Sequence, residues 1–92
     1  MLKVKYTRIA IQDLNAGYDY IYHENRLAAK QVIERIEQTI NYLKEQPFMG
    51  RKGRVEETYE VVVPNTSFII VYQVSSEWLF IVSILHTARK YP

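Results

Sequence analysis

The 92-residue chain contains no cysteine. That excludes disulfides and thiolate metal sites, and it makes a reducing cytoplasm the simplest expected compartment. Long apolar runs are also missing. None approaches the ~20 residues needed to cross a bilayer, so no membrane partner is expected. Lys3, Lys5 and Arg8 interrupt the opening residues, which argues against a secretory leader. Charge of one sign is scarce too: 12 Lys and Arg against 10 Asp and Glu leave a net charge of +2. That balance does not by itself mark a nucleic-acid binder. Glycine occurs three times, with no Gly-rich nucleotide fingerprint, and no serine sits in a nucleophile-elbow context. His23 and His86 are the two histidines. No dense carboxylate cluster accompanies either, so no metal and no cofactor are expected. Glu56 and Glu57 are adjacent; on an extended chain they point opposite ways and cannot converge on one bond.

What is present is a globular composition, 48% hydrophobic and 24% charged. The chain reads as one small domain over residues 1–92. A domain of this size buries about 60–65% of its unfolded surface, enough for a single core. Eight tyrosines suit a protein that contacts half-polar surfaces.

The pattern of elements is legible. LKVKY alternates apolar and basic residues as an edge strand does, its lysines discouraging edge pairing. Thr7 offers an N-cap, and Ala10, Leu14, Tyr18 and Ile21 recur on one face of a first helix. Gly17 lowers the helix propensity by about 1 kcal/mol relative to Ala, which predicts a close packing contact there. Asn25 ends this helix and caps the next, whose stripe is Ala29, Val32, Ile33, Ile36, Ile40 and Leu43. Pro47 stops it. PFMGRKGRVEE reads as a loop. Three strands follow, at 58–63, 67–74 and 78–85, separated by PNT and SSE. Loops this short demand antiparallel neighbours. The expectation is an α+β fold, β-α-α-β-β-β, with a helical hairpin on one face of an antiparallel sheet.

Chemistry concentrates in two places. GRKGR puts Arg51, Lys52 and Arg54 in one short loop, a combination suited to a phosphate or carboxylate, or simply to solvent. It is not a Walker A loop, because the spacing is wrong and no strand leads into it. ILHTARKYP ends the chain with His86, Arg89, Lys90 and Tyr91. A histidine there can act as a general acid or base, or hydrogen-bond a backbone carbonyl and nothing more. Arg89 can grip a phosphate or a carboxylate bidentately. Tyr59, Tyr72 and Trp78 read as core or sheet-surface residues.

These motifs, in this order, resemble the RelE/ParE superfamily of toxins from bacterial type II toxin–antitoxin modules. The resemblance runs nearly end to end, through A…DL…YDYI, L…P…GRKGRVEET, VV…FIIVYQV and the terminal Leu85, His86, Ala88, Arg89 and Pro92. It implies the same helical hairpin and sheet, and one of two activities. RelE-like members cut mRNA on the ribosome, using basic side chains on the sheet; ParE-like members poison DNA gyrase and cleave nothing themselves. At the sheet positions where RelE-like enzymes carry lysines and an arginine, this chain has Glu60, Val62 and Ile69. Each lost stabiliser of that kind typically costs about 10²–10³-fold in rate. Glu57, Tyr59 and Gln73 also stand where ParE-like members commonly have Gly, Arg and Arg.

The resemblance therefore implies a ParE-like toxin that binds DNA gyrase and is neutralised by a cognate antitoxin with an acidic, amphipathic segment. Arg51, Arg54, Tyr72, His86, Arg89, Lys90 and Tyr91 are the expected contact residues. The alternative is a ribosome-dependent mRNA endonuclease with His86 and Arg89 as catalytic residues.

Overall fold

The computed structural model describes residues 1–87 of the chain. Its elements are β1 (Lys3–Tyr6), α1 (Arg8–Glu24), α2 (Arg26–Glu45), β2 (Arg51–Lys52), β3 (Tyr59–Val62), β4 (Phe68–Val74) and β5 (Trp78–His86). The helical hairpin on one sheet is as expected, and two details differ. Arg51 and Lys52, expected in a loop, pair antiparallel with Glu60 and Tyr59 as a two-residue edge strand. The sheet is also mixed. Its order is β1-β5-β4-β3-β2, and β1 lies parallel to β5, Lys3 beside Trp78 and Tyr6 beside Ile81. Short loops fix β3, β4 and β5 as antiparallel neighbours. No such loop constrains β1, and after the hairpin it takes the free edge of β5.

Caps explain the helix boundaries. Thr7 Oγ accepts from Ala10 N at 3.0 Å, and Asn25 Oδ1 from Ala28 N at 3.0 Å, each satisfying a donor that a helix start leaves open. Asn25 also donates its own N–H to Ile21 O at 2.7 Å. One residue thus closes α1 and opens α2, which makes the hairpin turn so short.

The core lies between the hairpin and one face of the sheet. Ile36, Ile40 and Leu43 of α2 meet Phe68, Ile70 and Tyr72 of β4 and Leu79, Ile81 and Ile84 of β5. Side chains alternate along β4, so Ile69, Val71 and Gln73 face the other way. On α1, Ala10 is buried and Leu14 and Ile21 pack against the core. Tyr18, expected on the same face, instead stays 37% exposed and stacks on Tyr22 at 5.5 Å. Gly17 makes the predicted close contact: a Cβ there would lie 2.8 Å from Phe68 Cε1.

Where β1 ends, α1 takes over the edge of β5. The register of β4 against β5 shifts between Val71 and Tyr72, leaving Val82 as the extra residue of a bulge. Thr7 Oγ donates to Val82 O at 2.7 Å and Thr7 N to Ile81 O at 3.0 Å. Asp13 Oδ2 accepts from Ile84 N at 3.0 Å. The strand edge is covered rather than left open for pairing. No helix among the described residues is long and apolar enough to cross a membrane.

Candidate binding surface

The GRKGR loop is organised by a residue of β3. Glu60 is buried, its side chain 8% exposed, and its Oε1 accepts from Arg51 Nη2 at 3.2 Å. Its Oε2 accepts from Arg54 N at 3.2 Å. A buried carboxylate needs such partners, and here both its oxygens are held. Arg51 is thereby tied down, though 66% of its side chain still meets water. Sequence reasoning read Glu60 as the loss of a basic group and missed that it anchors the loop. The signal available was a lone acid on the strand after three loop cations.

Residues 53–58 fold back over the sheet. Gly53 N donates to Thr58 O at 2.8 Å, and Thr58 Oγ donates to Val55 O at 2.6 Å. Glu57 takes a left-handed backbone conformation, φ 65°, uncommon for a residue with a side chain. The fold-back makes one wall of a cleft of about 540 Å³ on the open face of the sheet. Ile69, Val71, Val82 and Leu85 line it with aliphatic surface; Glu60, Arg54, Gln73 and Ser83 add polar groups.

Tyr72, expected as a contact residue, is not at the surface. It is 0% exposed, its ring stacks on Tyr59 at 5.6 Å, and its hydroxyl accepts from Gly50 N at 3.1 Å. Burial raises its pKa above 10.0, a shift partly opposed by the Gly50 hydrogen bond and reinforced by Tyr59. Gly50 must be glycine-sized here: a Cβ would sit 2.6 Å from both Glu60 O and Tyr72 Oη. The aromatic thus fixes the start of the cationic loop from inside.

His86, the last residue of β5, pairs with Phe68 and is 6% exposed. Its imidazole stacks on the Phe68 ring at 4.3 Å, 7° from parallel, and meets Tyr20 edge-on at 5.3 Å. It therefore lies on the helix side of the sheet, while Glu60 and Arg54 lie on the open side. The structure does not bring His86 and the loop together. Tyr20 was not foreseen as its neighbour; the helix pattern places Tyr20 on α1 but not against the strand end. Arg89, Lys90 and Tyr91 lie outside the described residues. Among the described residues, no group of three or more His, Asp or Glu is arranged to hold a metal ion.

A second exposed apolar patch runs between α2 and the β3 edge, where Tyr42, Met49 and Val62 are 52%, 43% and 55% exposed.

Comparison with known proteins gives a consistent result. The profile of the family described as "ParE toxin of type II toxin-antitoxin system, parDE" matches residues 4–91. A putative toxin, Y4kP, of Sinorhizobium fredii is 30% identical over 90 residues, covering 98% of this chain and 93% of that protein. Toxin RelE2 of Caulobacter vibrioides is 36% identical over 89 residues, covering 97% and 99%. Among solved structures, the "Chromosomal ParDE TA system from P. aeruginosa" superposes with a TM-score of 0.83 at 22% identity, over 94% of this chain and 96% of that one.

Proposed function

The chain belongs to the ParE toxin family of type II toxin–antitoxin systems, and on that premise we propose that it acts by binding its target rather than by cutting RNA. The target we propose is DNA gyrase, and the compartment the cytoplasm. The observation that carries this reading is the division of the sheet. The cleft on its open face is floored by aliphatic side chains, and Glu60 beside it pairs with the Arg51 guanidinium and holds the Arg54 backbone N–H. His86 faces the opposite side, packed between Phe68 and Tyr20. A ribonuclease needs charge stabilisation and proton transfer converging on one phosphate, each group within about 3 Å of its atom. Side chains on opposite faces of one sheet do not converge.

The proposed partner in the resting cell is a cognate antitoxin whose acidic, amphipathic segment covers Arg51 and Arg54; Arg89, Lys90 and Tyr91 remain proposed contacts. Arginines desolvated against carboxylates are common anchors of such interfaces. The test is a gyrase supercoiling and cleavage-complex assay with the purified chain. Accumulation of cleaved DNA at micromolar protein is the expected result, and none at that concentration removes gyrase as the target. Toxin RelE2 is a relative at 36% identity, so primer extension on translated mRNA belongs beside it. Codon-linked cuts that disappear in His86→Ala would replace the binding reading with the nuclease one.

A further inference from the structure

We infer that the open face of the sheet carries, at its β1–β5 end, a stacking platform for single-stranded nucleic acid, on which Trp78 and Phe80 take bases while Lys3 and Lys5 take the flanking phosphates. The inference goes beyond the target proposed above and does not depend on it.

Alternation and register put these four side chains on one face. In β1, Val4 and Tyr6 pack against the core, which turns Lys3 and Lys5 to the open side, and both are exposed. In β5, Leu79 and Ile81 are fully buried, which turns Trp78 and Phe80 the same way. The parallel pairing then sets Lys3 beside Trp78 and Lys5 beside Phe80. The two rings lie 6.3 Å apart, centroid to centroid, with planes 27° from parallel. Lys3 Nζ stands 5.6 Å from the Trp78 ring. On its other side Phe80 pairs with Gln73 of β4, whose amide can reach a base edge. Both line a hollow of about 370 Å³ that also includes Phe48.

Protection of an edge strand accounts for the lysines. It does not account for two large rings left half-buried on the open face rather than in the core. Adjacent aromatic rings on a sheet, with cations alongside, are how single strands are held: every base has a face to stack, and the charges follow the backbone. A duplex fits poorly, because its bases are already stacked on one another. The cations are also free to act. Whereas Arg51 is tied to Glu60, neither Lys3 nor Lys5 joins an ion pair among the described residues. Glu77 lies next to Trp78 in the chain and Glu57 borders the hollow beside Phe80, both exposed. These acids lower the affinity and keep it in the salt-sensitive, non-specific range of about 10⁻⁶–10⁻⁴ M.

Trp78 is the one tryptophan of the sequence, so its fluorescence reports on the platform alone. The probes are short oligomers of thymidine and of uridine, titrated into the full-length chain. Saturable quenching below about 100 μM is the expected result. Quenching by either oligomer sustains the inference, and the tighter of the two tells whether DNA or RNA is the source. Each phosphate neutralised on a single strand adds about 0.7 to the log–log salt slope, so two lysines predict about 1.4. Lys3→Glu with Lys5→Glu, at exposed positions, should weaken binding on the order of tenfold or more and flatten that slope. Phe80→Leu keeps an apolar side chain in the sheet but removes the ring, and should weaken binding at least about fivefold. Absence of quenching at 100 μM, equal binding of an abasic oligomer, tighter binding of a duplex, or full affinity in folded Phe80→Leu would each overturn the inference. No gyrase enters the titration, so a chain inert on gyrase that still stacks thymidine on Trp78 keeps the inference, and a gyrase-active chain that stacks neither oligomer loses it.

Discussion

Replacing Gly17 by Ala sets two effects of known sign against each other. In the interior of α1 the substitution should add about 1 kcal/mol of helix stability, because Ala restricts the unfolded chain and Gly does not. Against this stands the Phe68 ring, whose Cε1 and Cζ would lie 2.8 and 2.9 Å from the new methyl carbon. Carbon atoms in good contact are about 3.5–4.0 Å apart, so the ring must retreat by roughly 0.7 Å. It has nowhere to go. Phe68 is 2% exposed, and the His86 imidazole lies parallel to it at 4.3 Å, with Tyr20 against the imidazole at 5.3 Å. Overpacking of this kind costs about 1–3 kcal/mol. The net expectation is a loss of about 1 kcal/mol, which lowers the melting temperature of a domain this small by roughly 4–8 °C.

The measurement is thermal unfolding followed by circular dichroism, in two backgrounds. With Phe68→Leu the ring is gone, the clash with it, and Gly17→Ala should now stabilise by up to about 1 kcal/mol. The change of sign between backgrounds is the decisive result, since such a cycle isolates the contact from each residue's separate effect. If Gly17→Ala raises the melting temperature equally in both, the Gly17–Phe68 contact does not constrain the fold and the packing argument fails.

Two further outcomes follow from the buried polar groups. Tyr6 and Tyr72 both have pKa values raised from 10.0, chiefly by burial, Tyr6 also by Glu37. The native state holds these protons more tightly than the unfolded chain, so stability should be intact below pH 10 and fall as pH rises beyond it. Tyr72→Phe should flatten that fall in alkaline denaturation curves while costing about 0.5–1.5 kcal/mol at neutral pH for the lost Gly50 hydrogen bond; an unchanged alkaline slope would show that Tyr72 does not contribute. Asp13→Ala leaves Ile84 N without its acceptor at the strand edge and should cost about 1–3 kcal/mol, whereas Asp13→Asn, which keeps an acceptor oxygen, should cost less; amide exchange at Ile84 reports the difference directly.

Much of the fold was readable because its signals are local. Thr7 and Asn25 announce their helix starts, the α2 stripe repeats with a helical period, and PNT and SSE force β3, β4 and β5 into antiparallel contact. What escaped notice depends on long-range pairing. The parallel seat of β1 beside β5 is set by the edge that the rest of the sheet leaves free, 75 residues away along the chain. Arg51 and Lys52 become a strand because β3 offers them partners, not because two residues carry a strand signal. For the site, residue type was informative and direction was not. Tyr72 sits on the core phase of β4, and one step of alternation separates a contact residue from a buried one. His86 likewise sits on the core phase at the end of β5, opposite Phe68, a placement that depends on the bulge at Val82 and could not be counted from the sequence.

Glu60 links these points. At a position where a basic residue would have presented charge to the open face, a carboxylate instead draws Arg51 and the Arg54 backbone inward and fixes the 53–58 wall. Glu60 therefore lowers the cationic field over the sheet and holds the loop at the edge of the cleft floored by Ile69, Val71, Val82 and Leu85. Those two consequences point the same way. A surface loses affinity for phosphates as its cations are internally paired, and an aliphatic floor beside it offers contact area to side chains instead. The loop that looks most like a nucleic-acid contact in the sequence is, in the folded chain, tied to a buried carboxylate and forms one wall of an aliphatic-floored cleft.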